Sequence, residues 1–589
     1  MDFCETYSNR ELFCSGWEFY KAPLGAEYSA DMPFTHTDIP HDWLIYDTNA
    51  LYEDSTGWYR KRFTYAKKEG VRTYIRFDGV YMDSTVYVNG EKAGEWKYGY
   101  SAFQFDITEL VRGGENEITV RADHRSPNSR WYSGAGIFRK VWLCESSEVR
   151  FGNDGIYITT EKRGSEWVTE VTAEILRPAG TSVAGIQIKN TIIAPDGSEQ
   201  TSYISDICAA DESCIPQAVR VSGAAYSLTA QRMTLESPAL WDIADPQQYA
   251  MISEIFVNGE CVQRVSQKYG YRTIEFTTDK GFFLNGRHVK LHGSCEHHDN
   301  GCLGAVSNPA AIRRRFKKLR EMGVNAIRTS HNMPAEEFMD IADETGMLIL
   351  SEGFDMWERS KTDYDYARFF DEWVDKDVAS WVRRDRNRPS LIGWSIGNEI
   401  FDTHADDRGQ EVTALLKRLV QLHDPAGNGY VTFGSNFMQW ENGQKCGDIL
   451  KLVGYNYGER LYAFRDFLAF QIFSSLLEVR EPSVCARAYK DYIYGSAGYR
   501  FAGFNLHISK GVCRLFALGF ICETFGRGDI FVYEYGLRWI YAPGDCRLNI
   551  GGVEVYDIVV FAAFVGGYAF PILYRFVEFF TLGRVRTAF

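Results

Sequence analysis

Apolar and polar positions alternate in short runs along the first half of the chain, and this two-residue period is typical of strands in antiparallel sheets. The segment TYIRFDGVYMDSTVYVNGEKAG, Thr73 to Gly94, has Asn89-Gly90 between two such runs, which predicts a tight hairpin. Further along, Pro195-Asp196-Gly197 separates two more predicted strands. The pattern predicts two β-sandwiches, one over residues 1–147 and a smaller one over residues 148–275.

After Tyr271 the period changes, and apolar runs of strand length alternate with helical patterns. The predicted helices are Asn308 to Met322, with Asn308 as a possible cap and Pro309 at the first position, one from Pro334, one around Phe370 to Arg384, and Arg408 to His423. Six strand-helix steps follow one another at intervals of roughly 25 to 35 residues, which is the spacing of a (β/α)8 barrel. We therefore expect residues 276–462 to hold the first six strands of a barrel.

The remaining residues, 463–589, differ in character, because lysine occurs only at Lys490 and Lys510 while phenylalanine becomes frequent. Their helix-strand order is not readable, so this part is interpreted as a divergent or out-of-frame tail that could complete the barrel. Within it, Ile558 to Tyr574 carries no charge over 17 residues. That length is at the short limit for a membrane-spanning helix, and Gly566-Gly567 and Pro571 weaken it further, so a buried core segment is favoured over a membrane span.

Charge and cysteine content narrow the class of protein. The net charge of −14 argues against a nucleic-acid partner, because phosphate binding needs a basic face and the sequence has no Lys/Arg block of the needed size. The 13 cysteines contain no C-x-x-C pair and are odd in number, so neither a zinc site nor a full disulfide framework is indicated. Reduced thiols and the absence of a recognisable secretory signal in MDFCETYSNRELFCSGWEFY predict a cytoplasmic location.

Polar side chains close nearly every predicted barrel strand, at the end where such barrels carry their active sites. They are His297, His298, Arg328, His331, Glu352, Asp355, Asn398, Glu399, Ser435, Asn436, Tyr455, Asn456 and Tyr457. Some could instead be structural, for example Asn332 as a helix cap. Acids, imidazoles, amides and a phenol suit a neutral ligand rich in hydroxyl groups, and no phosphate-binding glycine motif follows a strand. A small carbohydrate is therefore the expected substrate class.

Seven segments spread over Met1 to about Tyr462 resemble glycoside hydrolase family 2, which includes β-galactosidases, β-glucuronidases and β-mannosidases. These segments are GWYRKRF (from Gly57), FDGVYMDSTVYVNG (from Phe77), NSRWYSGAGIFR (from Asn128), GFFLNGRHVKLHG (from Gly281), NAIRTSHNMP (from Asn325), RDRNRPSLIGWSIGNE (from Arg384) and VGYNYG (from Val453). The resemblance implies a jelly-roll sugar-binding domain, an immunoglobulin-like β-sandwich and a catalytic TIM barrel. It also implies a retaining exo-β-glycosidase, with β-galactosides as the expected substrates.

By this resemblance Glu399 is the general acid/base and Asn398 the neighbour that binds the 2-hydroxyl of the sugar. Because Glu399 must hold a proton, burial among Trp394 and Ile396 is expected to raise its pKa. Further residues are similar to the family's substrate-binding positions, namely His297, Arg328, His331, Asp355, Tyr457 and, on a loop of the first domain formed by Arg130 to Tyr132, Trp131. Arg328 could also be a plain buried partner of a carboxylate.

The chain departs from the family pattern at the position of the nucleophile. A retaining glycosidase needs a second carboxylate about 5 Å from the first, yet YIYGSAGY at Tyr492 to Tyr499 has Ala497 where the family places this acid. Glu478 closes FQIFSSLLE at the spacing expected for the seventh strand and is our candidate, with Glu523 and Glu534 as rivals.

Several alternatives stay open. A β-glucuronidase of the same family would carry an Asn-x-Lys element, which is not found after Tyr462. A sugar-binding relative without a nucleophile, or a truncated product that does not fold stably because its barrel stays open, would also fit. Some relatives use Mg²⁺, and Glu352 and Asp355 could supply ligands, but acids three residues apart are more often hydrogen-bonded pocket residues, so no metal site is assigned. Homo-oligomers are common among relatives.

Overall fold

The computed structural model describes residues 7–436, 443–450 and 452–457 with their side chains, and beyond them the backbone of several short strands. The chain divides into two compact units, Met1–Tyr489 and Lys490–Phe589. The first unit contains two β-sandwiches followed by a curled, mainly parallel sheet with helices.

The first sandwich packs two antiparallel sheets against each other. One sheet has the order β1-β10-β5-β8 and the other β3-β2-β4-β9-β6-β7. The strands are β1 Asn9–Leu12, β2 Trp17–Ala22, β3 Thr35–Thr37, β4 Ser55–Tyr65, β5 Val71–Phe77, β6 Ser84–Val88, β7 Glu91–Trp96, β8 Phe103–Asp106, β9 Gly114–His124 and β10 Val141–Ser147. The predicted hairpin is confirmed, since Asn89-Gly90 joins β6 to β7 with positive φ at both residues.

The second sandwich has two four-stranded antiparallel sheets, ordered β11-β12-β16-β15 and β14-β13-β17-β18. Its strands are β11 Arg150–Arg163, β12 Glu166–Pro178, β13 Ile186–Ile193, β14 Glu199–Asp206, β15 Cys208–Ala210, β16 Ala224–Glu236, β17 Tyr249–Val257 and β18 Glu260–Tyr269. Alternate residues of the paired strands, such as Val171, Ala173 and Ile175, are buried between the sheets, as the two-residue period predicts.

A small antiparallel sheet leads into the barrel. It consists of β19 Ile274–Thr277, β20 Gly281–Leu284 and β21 Arg287–His288. Its apolar side chains, among them Phe282 and Leu284, pack with Ala326, Leu348 and Ile392, which lie at the amino ends of barrel strands. This contact closes the bottom of the barrel and leaves the carboxyl ends for the polar residues.

The barrel begins with six parallel strands in chain order, joined by helices. These elements are β22 Gly293–Glu296, α1 Pro309–Glu321, β23 Ala326–Thr329, α2 Glu336–Thr345, β24 Leu348–Glu352, α3 Phe370–Asp385, β25 Leu391–Asn398, α4 Asp402–Ala405, α5 Arg408–His423, β26 Tyr430–Ser435 and β27 Leu452–Asn456. The six predicted strands and the four predicted helices are thus confirmed.

Hydrogen bonds from nearby side chains show which residues cap the helices. The side chain of Asn308 accepts hydrogen bonds from the backbone N–H groups of Ala310 and Ala311, so the predicted cap of α1 is confirmed. The cap proposed for Asn332 is wrong. Helix α2 begins at Glu336 after Ala335, and the Asn332 amide instead donates to the backbone oxygen of Ser330 at 3.4 Å.

Beyond β27 the sheet gains two strands, β28 Ala469–Ile472 and β29 Ser475–Val479. Strand β29 runs antiparallel to β27, and β28 runs antiparallel to β29. In the second unit the described backbone forms three antiparallel pairs of short strands. They are β30 Val512–Cys513 with β31 Thr524–Phe525, β32 Ile530–Phe531 with β33 Trp539–Ile540, and β34 Leu548–Ile550 with β35 Val553–Val555.

The uncharged segment Ile558 to Tyr574 lies outside the described residues. In the part of the chain that is described, none of the helices has the length and apolar character needed to span a bilayer.

Candidate active site

Polar side chains from four parallel strands converge at the carboxyl end of the barrel sheet. Strand β23 supplies Arg328, β24 ends in Glu352, β25 delivers Asn398 and then Glu399, and β27 ends in Asn456. Together with His331 and Asp355 from the loops after β23 and β24, these residues are here named the strand-end cluster. All of them except His331 are buried.

Arg328 and Glu352 form the centre of the cluster. The Arg328 guanidinium donates to Glu352 Oε2 at 2.8 Å and, through its two terminal nitrogens, to the side-chain oxygens of Asn456 at 3.0 Å and Asn398 at 2.7 Å. His331 Nδ1 lies 2.5 Å from the second oxygen of Glu352. Burial raises the pKa of Glu352, but the charges of Arg328 and His331 outweigh it and lower that pKa to about 2. Glu352 is therefore a permanent anion that holds Arg328 in place.

Asn398 is fixed by hydrogen bonds at both ends of its amide. Its oxygen accepts from Arg328 and from Asn456 Nδ2 at 2.9 Å, and its nitrogen donates to Asp355 Oδ1 at 2.7 Å. With donors at the oxygen and a carboxylate at the nitrogen, only one orientation of the amide satisfies all partners.

Asp355 lies between two cations. Arg130, from the loop between β9 and β10 of the first domain, donates to both carboxylate oxygens, at 3.0 Å from Nε and 2.6 Å from a terminal nitrogen. Lys361 Nζ lies 3.0 Å from Oδ1 and also donates to the Asn398 backbone oxygen at 2.7 Å. Burial raises the pKa of Asp355, but Lys361 and Arg130 outweigh this effect and lower it.

Glu399 follows strand β25 with a left-handed backbone, φ 48°, and its N–H donates to the Gly434 backbone oxygen at 2.6 Å. One carboxylate oxygen accepts from Asn456 Nδ2 at 2.8 Å and the other from Arg130 at 3.2 Å. The side chain is only 7% exposed. The carboxyl group thus sits against polar donors inside the cluster.

The predicted apolar wall of Trp394 and Ile396 around Glu399 is wrong. Both side chains belong to the core between the sheet and its helices, where Trp394 meets Trp381 of α3 edge-on at 5.1 Å. Both side chains alternate with Ser395, whose hydroxyl donates to Glu352 in the cluster, and the register shift between Ser395 and Asn398 brings Asn398 to the same side as Ser395.

Aromatic rings lie next to the strand-end cluster. The ring of Trp131, also from the first-domain loop, lies 5.1 Å from that of His297 and 5.6 Å from that of His331. Burial, with the nearby His331, lowers the pKa of His297. Tyr457 is 59% exposed, and the charge of Glu399 together with burial raises its pKa. These side chains offer flat surfaces on which the face of a sugar ring can pack.

Eight residues proposed from sequence therefore lie in one connected group, namely Glu399, Asn398, Asp355, Arg328, His331, His297, Trp131 and Tyr457. Two other strand-end positions do not join it. His298 contacts the first domain, 3.0 Å from the Ser133 backbone oxygen, and burial lowers its pKa to about 4. Among the described residues, Ser435 makes no side-chain hydrogen bond to the cluster.

Sequence reasoning placed Arg130 on the first-domain loop that resembles a pocket loop of the family, but it gave no individual role to Arg130, Lys361 or Asn456. Asn456 stood among the residues at the strand ends, so its position was available. Arg130 is more than two hundred residues from its partners, and Lys361 lies in an irregular loop after β24, so neither carried a pattern that pointed to Asp355.

Glu352 and Asp355, the two acids considered as Mg²⁺ ligands, both have cationic side chains as partners. Arg328 contacts Glu352, and Arg130 and Lys361 contact Asp355. No group of three or more His, Cys, Asp or Glu arranged to hold a metal ion occurs in the described part of the chain.

The nucleophile stays a prediction. The backbone of Glu478 lies in β29 opposite Val453 of β27, in an antiparallel pair rather than the parallel pair expected for a seventh barrel strand. Its side chain, and the whole of Glu523 and Glu534, lie outside the described residues.

Two β-sandwiches ahead of a parallel barrel sheet, with acids and amides at the strand ends, define a multidomain protein of the TIM-barrel enzyme class. Three family models match the chain in that order: the family 2 sugar binding domain at 25–147, the family 2 model at 153–272, and the family 2 TIM barrel domain at 275–457. They cover well over half of the sequence. The chain belongs to glycoside hydrolase family 2.

Individual relatives agree with this assignment. The beta-galactosidase BoGH2A of Bacteroides ovatus is 39% identical over 434 residues, covering 70% of this chain and 49% of the relative. A beta-glucuronidase of Bacteroides fragilis is 29% identical over 416 residues, covering 66% of this chain and 56% of the relative. The crystal structure of a family 2 member from Bacteroides cellulosilyticus matches with a TM-score of 0.69 and 29% identity, over 77% of this chain and 59% of the other. The chain thus spans about half the length of the curated relatives it matches.

Proposed function

We propose that this protein is a retaining exo-β-glycosidase that hydrolyses terminal β-D-galactosides, with Glu399 as the general acid/base. The observation that carries the proposal is the position of Glu399. Its carboxyl group is buried at the carboxyl end of barrel strand β25, beside an Asn398 amide fixed by Arg328, Asn456 and Asp355.

The proposed reaction follows from this geometry. Glu399 protonates the glycosidic oxygen while a second carboxylate attacks the anomeric carbon and forms a glycosyl-enzyme intermediate. Glu399 then removes a proton from the water that hydrolyses the intermediate. The fixed Asn398 amide would bind the 2-hydroxyl, where hydrogen bonds strengthen in the transition state. Glu478 remains our candidate for the second carboxylate.

The charges of the cluster favour a neutral sugar. Each cation is paired with at least one carboxyl group of the site: Arg328 with Glu352, Lys361 with Asp355, and Arg130 with Asp355 and Glu399. A glucuronide would bring its own carboxylate, which needs a cation not already paired in this way. This balance supports the galactoside over the glucuronide, as does the 39% identity to a beta-galactosidase.

Turnover of two chromogenic substrates tests the proposal. We expect the full chain to hydrolyse p-nitrophenyl β-D-galactoside with a higher kcat/KM than p-nitrophenyl β-D-glucuronide. A 2-deoxy-2-fluoro β-galactoside should label the chain covalently, and the mass of the labelled peptide identifies Glu478, Glu523 or Glu534 as the nucleophile.

The results of these experiments distinguish the proposed galactosidase from the alternative functions. Preference for the glucuronide would replace the galactosidase proposal with the β-glucuronidase of the same family. Galactose binding without turnover or label would favour the sugar-binding relative that lacks a nucleophile. Aggregation of the expressed chain would favour an incomplete barrel.

We also propose a cytoplasmic location. The supporting observation is that Cys208, Cys214 and Cys302 are exposed free thiols, which persist in a reducing compartment.

A further inference from the structure

Arg130 is the residue through which the first domain reaches the proposed acid/base. It lies in the loop between β9 and β10, and its guanidinium contacts Asp355 through two nitrogens and Glu399 through the third. Burial lowers the pKa of Arg130, but its bonds to Asp355 and Glu399 outweigh this and raise it. Arg130 is therefore a permanent cation next to Glu399.

The side of the Arg130 guanidinium that faces away from Glu399 is held by Asp355. Asp355 accepts from Arg130 through both oxygens, and Asp355 is in turn fixed by Lys361 at 3.0 Å and by the Asn398 amide at 2.7 Å. A bidentate pair of this kind fixes the plane of the guanidinium as well as its position. The nitrogen that faces Glu399 therefore has little freedom to move.

Each oxygen of Glu399 accepts a hydrogen bond from a group that cannot accept one in return, and the Tyr457 hydroxyl also hydrogen-bonds to this carboxyl group. Asn456 donates to one oxygen and Arg130 to the other. This arrangement fits the carboxylate form of Glu399, which is the form left after the proton has moved to the leaving group and the form needed to activate water in the second step.

We propose that Arg130 is a positioning residue for Glu399, supplied by the first domain, that stabilises the negative charge appearing on Glu399 as it gives up its proton. In this step the second carboxylate bonds to the anomeric carbon, the bond between that carbon and the glycosidic oxygen breaks, and the oxygen takes the proton from Glu399. The resulting carboxylate remains beside the guanidinium. The inference rests on the proposed function, since it assigns Arg130 a part in that same reaction.

The inference predicts that the importance of Arg130 depends on the leaving group. A phenol leaves only with proton transfer from Glu399, whereas 2,4-dinitrophenolate leaves without a proton. Loss of Arg130 should therefore slow the first substrate much more than the second. A residue that only binds the sugar or stabilises the fold would affect both substrates by the same factor.

The experiment compares wild type, Arg130→Gln and Arg130→Lys on phenyl and 2,4-dinitrophenyl β-D-galactosides. For Arg130→Gln we expect kcat/KM to fall on the order of 100-fold with the phenyl substrate and less than about threefold with the dinitrophenyl substrate. Arg130→Lys keeps the positive charge, so its kcat/KM with the phenyl substrate should lie between those of Arg130→Gln and wild type. The control is Arg125→Gln, an exposed arginine near the same loop, which should leave both values unchanged.

The ratio of the two kcat/KM values within one preparation does not depend on the fraction of folded protein, so partial unfolding cannot imitate the expected result. If the Gln variant gives no folded protein, the Lys variant supplies the ratio. An equal loss on both substrates would overturn the role assigned to Arg130. Failure of the wild type to hydrolyse either substrate would instead overturn the proposed function.

Discussion

At the scale of single residues, the site is a set of buried charges that compensate one another. Glu352 is completely buried, and its two oxygens accept from Arg328, Ser395 and His331. Taking a carboxylate out of water costs several kcal/mol, which only close cations and complete hydrogen bonding can offset. Sequence reasoning identified Arg328 and Glu352 as strand-end residues but could not decide whether they contact substrate or each other. The distances show that they contact each other.

The paired state of Glu352 gives a testable dependence of stability on pH. Its pKa is lowered from 4.5 to about 2 in the folded protein, so its contribution is present above about pH 4.5 and is lost as the pH falls from there towards 2. We expect Glu352→Gln to lower the free energy of unfolding at pH 7 by on the order of 3 kcal/mol. The loss should be smaller at pH 3.5.

Urea unfolding followed by tryptophan fluorescence at the two pH values measures this effect. The control is Glu358→Gln. Glu358 is paired with Arg408, whose side chain is about half exposed, so this substitution should alter the free energy of unfolding little at either pH. An equal destabilisation by Glu352→Gln at both pH values would show that Glu352 does not titrate as described.

At the scale of elements, short sequence patterns located the helices. The contacts that each helix makes depend instead on segments that are distant in sequence. The bounds of α1 and α5 were readable because both helices have an apolar period in continuous sequence, and α1 also has the cap Asn308. The role of Asp377 on α3 was not readable. Its carboxyl group accepts from Ser101 at 2.6 Å and from Trp96 at 3.0 Å, both in the first domain and far away in sequence.

The ionisation of Asp377 should give stability a second dependence on pH, opposite in direction to that of Glu352. Burial raises its pKa from 3.8 to about 7, although hydrogen bonds from Ser101, Tyr366 and Trp96 lower it. The folded protein therefore keeps a proton that the unfolded chain has lost between these values, and stability falls as the pH rises from about 4 to about 7. Asp377→Asn cannot ionise, so it should gain stability relative to wild type over this interval, by up to about 4 kcal/mol.

Thermal unfolding of both proteins at pH 4.5 and pH 7.5 measures the change. Asp371→Asn, on the first turn of the same helix, is the control and should show no such trend. A difference between Asp377→Asn and wild type that is constant across the two pH values would contradict the assignment.

At the scale of the whole molecule, the order of domains and the six parallel strands were predictable, because period and spacing are properties of continuous sequence. The contribution of the first domain to the site was predictable only as a resemblance of Arg130 to Tyr132. The antiparallel direction of β29 was not predictable, because the count of residues that placed Glu478 assumed another parallel step. The direction of a strand in a sheet depends on the segment that connects it to the preceding strand. The sequence after Tyr462 showed no readable helix or turn from which that connection could be predicted.

The central claim is that Glu399 donates the proton in glycoside cleavage, and the kcat/KM of Glu399→Gln on phenyl β-D-galactoside tests it most directly. The account predicts a fall of roughly 100- to 10,000-fold relative to wild type, because general acid catalysis contributes that much. The variant Glu358→Gln should retain wild-type activity. A Glu399→Gln variant that hydrolyses the phenyl substrate as fast as wild type would contradict the account.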